Sequence, residues 1–288
     1  MHTNYSYAAV PIAEHVESDI YRIYFSSRDP HNRSTSLAVL IDLKQPNKIL
    51  EMSQSPIIIP GELGEFDDSG AMATWLADAG NGTRFLYYIG WNLGVTVPFR
   101  NSIGLAISEN HQKFEKYARG PIVDRTASEP HFCASCCVIP SAHNNPWKMW
   151  YLSCTKWDFH NGKPRHHYHI KYAESDDGIH WHRDGHVAID FADSSEYAIS
   201  RPSVIEEDDH WRMWFSHRGT RYQIGYAESE DGKNWNRLDH LCSINSAPDG
   251  WDSEMLAYPH VFKHGEALYM LYNGNGYGKT GFGIAVLE

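Results

Sequence analysis

The sequence predicts an all-β fold, a five-bladed β-propeller in which four-stranded antiparallel blades surround a central funnel. Three observations predict this fold. Aromatic residues make up 13% of the 288 residues, with 10 Trp and 17 Tyr, and such a composition favours strands. The decapeptide YAESDDGIHW at 172–181 returns 54 positions later as YAESEDGKNW, and a pattern of three strands recurs five times. We therefore expect a single domain over residues 1–288.

Each copy of the decapeptide predicts a strand and the hairpin turn that follows it. Small or apolar residues alternate with polar ones, Asp-Gly turns the chain, and a Trp begins the return. Weaker copies occur at 36–42, 103–114 and 282–288. The alanines that mark the five equivalent strands are Ala38, Ala106, Ala173, Ala227 and Ala285. We interpret this repeat as scaffold and not as a catalytic motif.

Two further strands precede each marked strand. The second strands are predicted at 21–28, 84–91, 147–154, 211–218 and 268–275, with separations of 63, 63, 64 and 57 residues between equivalent positions. The first strands are predicted at 8–13, 70–75, 135–140, 200–205 and 257–262. A weaker fourth strand follows the turn, except in the last repeat, where it must come from residues 1–7 or be missing. A missing strand would leave an exposed edge and favour a homo-oligomer.

The amino-acid composition indicates which binding partners and which cellular compartment to expect. Lys and Arg number 25 against 36 Asp and Glu, and the net charge of −11 repels phosphate backbones and anionic lipid, so we expect neither nucleic acid nor a membrane as a partner. The five cysteines are an odd number without framework spacing, and the N-terminus lacks a signal-peptide pattern, which favours a cytoplasmic protein. The Cys and His residues lack the paired spacing of zinc ligands, so no metal or cofactor is expected.

The residues that enter the first strands and leave the second strands should open on one face and converge on the funnel. Carboxylates recur at the entries, and Arg, Lys, His or Trp recur at the exits. Carboxylates held near one another have their pKa values driven apart, as general acid and base roles require. Aromatic rings at the rim suit the apolar faces of a sugar, and cleavage of a glycosidic bond needs two carboxyl groups.

The chain resembles the five-bladed β-propeller glycosidases. The resemblance lies in the five predicted blades, in the acidic residues that enter the first strands and in the A-x-S-x-D-G-x-x-W turns. This superfamily contains the arabinanase and β-xylosidase group, the invertase and levansucrase group and the mannoside phosphorylases. The chain looks like an outlying branch of the kind associated with bacterial surface-polysaccharide gene clusters. The resemblance implies an acidic residue on the first blade as base or nucleophile, an Asp on the second and a Glu on the third as general acid. The first predicted strand carries no carboxylate, so the roles do not transfer directly.

We therefore predict a glycosidase that acts on a small glycoside, oligosaccharide or nucleotide sugar through a displaced pair of carboxylates. Asp68 and Glu196 are the predicted catalytic pair, and Glu129 and Glu254 would tune it or replace one member. The predicted substrate-binding residues are Arg28, Asp29, Asp67, Trp91, Lys156, Arg201, His217, Arg218, Asp252, Tyr258 and Lys279. Two alternatives stay open: a glycoside phosphorylase or transferase that holds phosphate on the exit cations, and a carbohydrate-binding propeller without turnover.

Overall fold

The computed structural model describes residues 5–110, 113–140, 145–207 and 210–287, and strands are its main regular secondary structure. The strands follow one another in five groups. Group 1 contains β1 (Ser6–Glu17), β2 (Ile20–Arg28), β3 (Ser34–Asp42) and β4 (Ile49–Met52). Group 2 contains β5 (Gly70–Gly80), β6 (Thr83–Leu93), β7 (Phe99–Glu109) and β8 (Glu115–Lys116). Group 3 contains β9 (Cys133–Ile139), β10 (Trp147–His160), β11 (Lys163–Ser175) and β12 (Val187–Ile189). Group 4 contains β13 (Ala198–Glu206), β14 (Trp211–Arg218), β15 (Tyr222–Ser229) and β16 (Asn236–Arg237). Group 5 contains β17 (Ala257–His264), β18 (Ala267–Asn273) and β19 (Phe282–Leu287).

Within each group, strands that are neighbours in the chain pair antiparallel, as the sequence predicts. The predicted first, second and third strands all coincide with observed ones, and the fourth strands are short. In group 5 the described residues hold three strands. Residues 6 and 7 belong to β1 and cannot supply a fourth, while residues 1–4 lie outside the described part of the chain. Association through this edge stays a prediction.

The groups are joined through their first strands. β1 contacts β5, β5 contacts β9, β9 contacts β13, β13 contacts β17, and β17 contacts β1. Hydrogen bonds between strands cross from group to group only as single parallel pairs, Ser34 with Gly70 and Tyr168 with Ala198. Side chains provide further links: the buried amide of Asn273 at the end of β18 accepts from Val10 N at 2.8 Å and donates to Ala8 O at 2.8 Å. The core accordingly consists of apolar side chains packed between the groups.

Helix contributes little to this structure. One α-helical turn, α1 (Asn275–Gly278), follows β18, and a short 3-10 turn covers Asp239–Leu241. In the described ranges, no helix is long and apolar enough to cross a membrane.

The repeated decapeptide serves as a joint between groups. In each copy a serine hydroxyl accepts from the turn glycine, at 3.0 Å for Ser175 and 2.9 Å for Ser229. The glycines have φ angles of 73° and 70°, which a residue with a side chain adopts only with strain. Tyr87 of group 2 donates to Gly178 O at 2.8 Å, and Trp150 of group 3 donates to Gly232 O at 2.8 Å. Each turn therefore docks on an aromatic side chain of the preceding group.

Alanine variants of Gly178 and Gly162 distinguish the contribution of this docking to stability from the strain of a positive φ angle. Gly178 and Gly162 share a φ of 73°, but a Cβ at Gly178 would lie 3.0 Å from the Tyr87 hydroxyl of the preceding group and 2.8 Å from the Trp147 ring, whereas nothing lies within 4 Å of a Cβ at Gly162. We expect Gly162→Ala to lower the free energy of unfolding by about 1 kcal/mol and Gly178→Ala by about 3 kcal/mol or more. Urea denaturation of both variants measures this difference, and equal losses would contradict the docking role.

Candidate functional site

A cavity of about 300 Å³, the central cavity, opens where the second strands end, and all five groups contribute to its lining. Arg28 and Arg218 are the last residues of β2 and β14, and Trp91 lies near the end of β6. The other lining side chains that enter the argument are Val10, Phe99, Asn101, Phe132, Ser135, His166, Tyr168, Arg201, Tyr222, Tyr258 and Tyr277. The volume is at the lower end of the range for small-molecule sites and suits one sugar unit.

Bulges in the first strands point side chains into this cavity. The register of each first strand against its second strand shifts at an equivalent place. In three groups a non-glycine residue there has positive φ and precedes a proline: Val10 at 54°, Arg201 at 56° and Tyr258 at 59°. Each such conformation costs about 1 to 3 kcal/mol and persists only where the surroundings impose it. Strain of this kind clusters at ligand sites, which agrees with the position of these three residues on the cavity wall.

Arg201 forms the floor of the central cavity. Its side chain is 0% exposed and reaches from β13 to the two opposite first strands. One terminal nitrogen donates to the carbonyl and hydroxyl of Thr74, and the other donates to Pro11 O at 3.0 Å. Burial lowers the pKa of Arg201 to about 10, so the guanidinium remains charged at pH 7. No ion pair with a carboxylate is seen for Arg201 within the described residues, and its Nε has no partner there.

Arg218 and Arg28 add two cations at the mouth. Arg218 donates to the Tyr277 hydroxyl at 2.9 Å and lies 5.4 Å and 5.3 Å from the ring centres of Tyr197 and Tyr222. Arg28 lies 5.2 Å from the ring centre of Trp91. Stacking on aromatic rings and neutral hydrogen bonds hold both guanidinium groups without neutralising them. Their charges are therefore available to a ligand.

The central cavity is cationic at neutral pH. Burial and then the nearby Arg218 lower the pKa of His166 to about 4, so this imidazole is neutral at pH 7. Arg28, Arg201 and Arg218 keep their charge, and no Asp or Glu of the described residues lines the cavity. An anionic ligand is the complement of such a site.

The predicted carboxylates that are buried form hydrogen bonds within their own groups, and their roles in catalysis and substrate binding stay predictions. Asp67, Glu129, Glu196 and Asp252, the anchor carboxylates, lie before four of the first strands but not in the lining of the central cavity. In three groups, a tyrosine at one equivalent position of the second strand donates to the carboxylate. The pairs are Tyr88 with Asp67 at 3.1 Å, Tyr151 with Glu129 at 2.9 Å and Tyr272 with Asp252 at 3.0 Å.

Cations at a second equivalent position complete these anchors. Ten residues after the recurring alanine of groups 2, 3 and 4 stands Lys116, Arg183 or Arg237. The closest nitrogen to oxygen distances are 2.6 Å for Lys116 with Asp67, 4.0 Å for Arg183 with Glu129 and 2.7 Å for Arg237 with Glu196. In group 4 a phenylalanine replaces the tyrosine, and His217 pairs with Glu196 at 2.7 Å instead. Asp67 and Glu196 thereby tie the loop entering their group to its outer strand, whereas Glu129 and Asp252 bond to tyrosines of their groups' second strands.

The remaining predicted residues are divided between the cavity and the surface. Asp68 accepts from Gly64 N at 3.0 Å and from the Ser69 hydroxyl at 2.9 Å, outside the central cavity. Asp29 accepts from the backbone of its own turn. Glu254, Lys156 and Lys279 are exposed and do not line the central cavity. The predicted pair Asp68 and Glu196 is therefore not brought together there. Five predicted residues do line the cavity: Arg28, Trp91, Arg201, Arg218 and Tyr258.

Sequence reasoning missed the starts of the third strands. Asn101, Tyr168 and Tyr222 each stand five residues before the recurring alanine, and all three line the central cavity. Phe99 and His166 stand seven residues before it and line the cavity as well. The repeat carried this signal in groups 2, 3 and 4, because the position five residues before the alanine faces the same cavity in each of them.

Solved structures of glycosidases share this fold over nearly the whole chain. A protein described as a glycoside hydrolase aligns with a TM-score of 0.76 and 17% identity, covering 99% of this chain and 88% of its own. A thermostable family-43 glycoside hydrolase aligns at 0.71 and 16%, covering 98% and 89%. The β-1,2-mannobiose phosphorylase of Listeria innocua aligns at 0.69 and 11%, covering 100% and 92%. The chain shares its fold with these solved structures, as the resemblance noted in the sequence predicts.

Two proteins of Mycobacterium tuberculosis are related to the chain in sequence. Uncharacterized protein MT1551, of strain CDC 1551 / Oshkosh, and Uncharacterized protein Rv1502 are each 44% identical to it over 283 residues, which is 98% of this chain and 93% of the relative. The chain belongs to the family of these two proteins. No family profile matches it.

The anchor role of Glu196 predicts a loss of stability that depends on pH. Burial opposes the charge of Glu196, but hydrogen bonds from His217 and Arg237 prevail and lower its pKa from 4.5 to about 2. This stabilisation is present above pH 4.5 and is lost as the pH falls towards 2. We expect Glu196→Gln to lower the free energy of unfolding by about 2 to 4 kcal/mol at pH 7, and by progressively less below pH 4.

Denaturation of the variant and the native chain between pH 7 and pH 3 measures this dependence. Asp68→Asn is the control, because its half-exposed carboxylate caps a turn, and a loss below about 1 kcal/mol is expected. A Glu196→Gln variant that is as stable as the native chain at pH 7 would contradict the anchor role.

Proposed function

We propose that this chain is a carbohydrate-active protein, built as a five-bladed propeller, whose central cavity binds a small saccharide that carries a negatively charged group. The observation that carries the proposal is the charge of the cavity, since Arg28 and Arg218 face a space that no described carboxylate lines and the buried guanidinium of Arg201 lies beneath it. Phosphate, sulfate or carboxylate on the sugar would meet these guanidinium groups.

The architecture supports a single site at the propeller axis. The five groups contact one another in a circle through their first strands, and each group contributes to the central cavity. Five groups in such a circle support the five blades that the repeat predicts. The cytoplasmic location predicted from the sequence agrees with five free cysteines, which a reducing compartment preserves.

The aromatic lining supports a sugar as the ligand. Seven aromatic side chains line the central cavity: Trp91, Phe99, Phe132, Tyr168, Tyr222, Tyr258 and Tyr277. Their rings suit the apolar faces of a pyranose or furanose, while tyrosine hydroxyls, Asn101 and Ser135 can exchange hydrogen bonds with its hydroxyls. Solved structures of this fold include glycoside hydrolases and a mannobiose phosphorylase, which agrees with a carbohydrate ligand.

Titration of sugars tests the proposal. We expect glucose 1-phosphate, glucose 6-phosphate or glucuronate to bind in isothermal titration calorimetry, and glucose not to bind under the same conditions. Arg28→Gln and Arg218→Gln should each weaken the affinity by about 10- to 100-fold, because each removes a charged hydrogen bond. Arg221→Gln is the matched control, since Arg221 is exposed, follows β14 and does not line the cavity. Equal binding of glucose, or full affinity in Arg28→Gln, would refute the proposal.

A glycoside phosphorylase is the second candidate function, and the same arginines favour it. Phosphate held by the guanidinium groups is itself the nucleophile: its oxygen bonds to the anomeric carbon, the glycosidic bond breaks, and the leaving oxygen takes a proton. The cavity offers tyrosine hydroxyls for that proton. A hydrolase relies on two carboxylates, and none lines the central cavity among the described residues. The glycosidase activity predicted from the sequence would therefore depend on Asp68, which lies outside this cavity.

Turnover assays separate these reactions. On a panel of disaccharides we expect sugar 1-phosphate to form when phosphate is supplied, and we expect no release of free sugar without phosphate. Anion-exchange chromatography of the products measures both. Free sugar released without phosphate, and abolished by Asp68→Asn, would establish a hydrolase in place of the phosphorylase. Binding without either product would establish a carbohydrate-binding protein.

A further inference from the structure

A second cavity, the side cavity, adjoins the central cavity at Trp91. It has a volume of about 370 Å³ and is lined by the β2–β3 turn, by the connection that enters β5 and by the end of β6. Trp91 is the shared wall, since it lines both cavities within the described structure. We propose that the ligand has at least two sugar units, with the charged unit in the central cavity and an uncharged unit in the side cavity, bound through Asp68. This proposal rests on the proposed function.

The wall between the two cavities is held in place. The indole nitrogen of Trp91 donates to the Ser34 hydroxyl at 3.1 Å, and its backbone oxygen accepts from Ser69 N at 3.1 Å. A Cβ on Gly70 would lie 2.1 Å from this indole nitrogen, so only glycine lets the ring lie against the strand. Arg28 contacts the ring and donates to Asn32 O at 3.0 Å, which connects the wall to the turn that lines the side cavity. A ligand crossing at this point meets a fixed aromatic edge.

The charges of the side cavity differ from those of the central cavity. Arg33 lies in its lining but is paired with Asp29 at 2.9 Å, so its charge is already neutralised. Asp68 is the one carboxylate that lines either cavity in the described part of the chain. A negatively charged unit would therefore be repelled from the side cavity, whereas a neutral unit with many hydroxyls would find acceptors there.

Asp68 has hydrogen-bonding capacity left for such a unit. A carboxylate offers about four acceptor sites, and Asp68 uses two, for Gly64 N and the Ser69 hydroxyl. These two bonds also fix the orientation of the side chain, which lowers the entropic cost of binding a hydroxyl pair. Leu63 and Leu93, 99% and 74% exposed, stand on the same lining and offer apolar surface to the CH face of a sugar ring.

Comparison of one-unit and two-unit ligands tests the inference. The probes are glucose 1-phosphate against maltose 1-phosphate and glucose 6-phosphate against trehalose 6-phosphate, measured by isothermal titration calorimetry. We expect at least one disaccharide phosphate to bind about 10-fold or more tightly than its monosaccharide phosphate. Asp68→Asn should remove most of this gain and leave the affinity for the monosaccharide phosphate unchanged.

Two variants control the experiment. Glu62→Gln changes an exposed carboxylate of the same connection that does not line the side cavity, and it should keep the full gain. Leu93→Trp fills the side cavity from an exposed position and should abolish the gain without affecting the monosaccharide phosphate. If monosaccharide phosphates bind but neither disaccharide gains, or if Asp68→Asn weakens both ligands equally, the inference is wrong while the proposed function stands. If no sugar phosphate and no glucuronate binds, both are wrong.

Discussion

The buried guanidinium of Arg201 is the constraint on which the site depends. Its hydrogen bonds reach Thr74 of β5 and the Pro11 carbonyl of β1 from its own place on β13. Three groups distant in sequence are thereby held at one point beneath the central cavity. Removing a charge from water is expensive, and here neutral acceptors alone offset that cost. The same side chain therefore closes the floor of the cavity and sets its charge.

The anchor carboxylates show why a recurrent acidic residue need not be catalytic. Groups 2, 3 and 5 place a tyrosine hydroxyl opposite the carboxylate, whereas group 1 has neither an entry carboxylate nor the hydroxyl, since Phe25 occupies the equivalent position. In group 4, where Phe215 takes the place of the tyrosine, His217 and Arg237 bind Glu196 instead, so each anchor carboxylate has a donor. A buried carboxylate without its donors would be strongly destabilising, so the repeat preserves the pair as part of the architecture.

The sequence predicted the fold better than the chemistry. The repeat period, the Asp-Gly turns and the aromatic residues of the strands can each be recognised in the sequence itself. They therefore predict the order of the strands without information on distant contacts. The cavity cations Arg28 and Arg218 were predictable because strand ends on one face must converge. The surroundings of Glu196 were not predictable, because its partners lie 21 and 41 residues further along the chain and nothing in the local sequence indicates that His217 and Arg237 enclose it. Burial of a charge depends on tertiary partners, which a single sequence does not disclose.

Likeness of fold does not by itself define the reaction of this chain. The bulges of four first strands present side chains to the central cavity, those of Val10, Ser135, Arg201 and Tyr258. None is a carboxylate, so these positions do not supply the pair of carboxyl groups that glycosidases use. They can hold an anion. The net charge of −11 repels anions at long range. Selectivity for an anionic ligand must therefore come from the arginines of the central cavity, which act at short range.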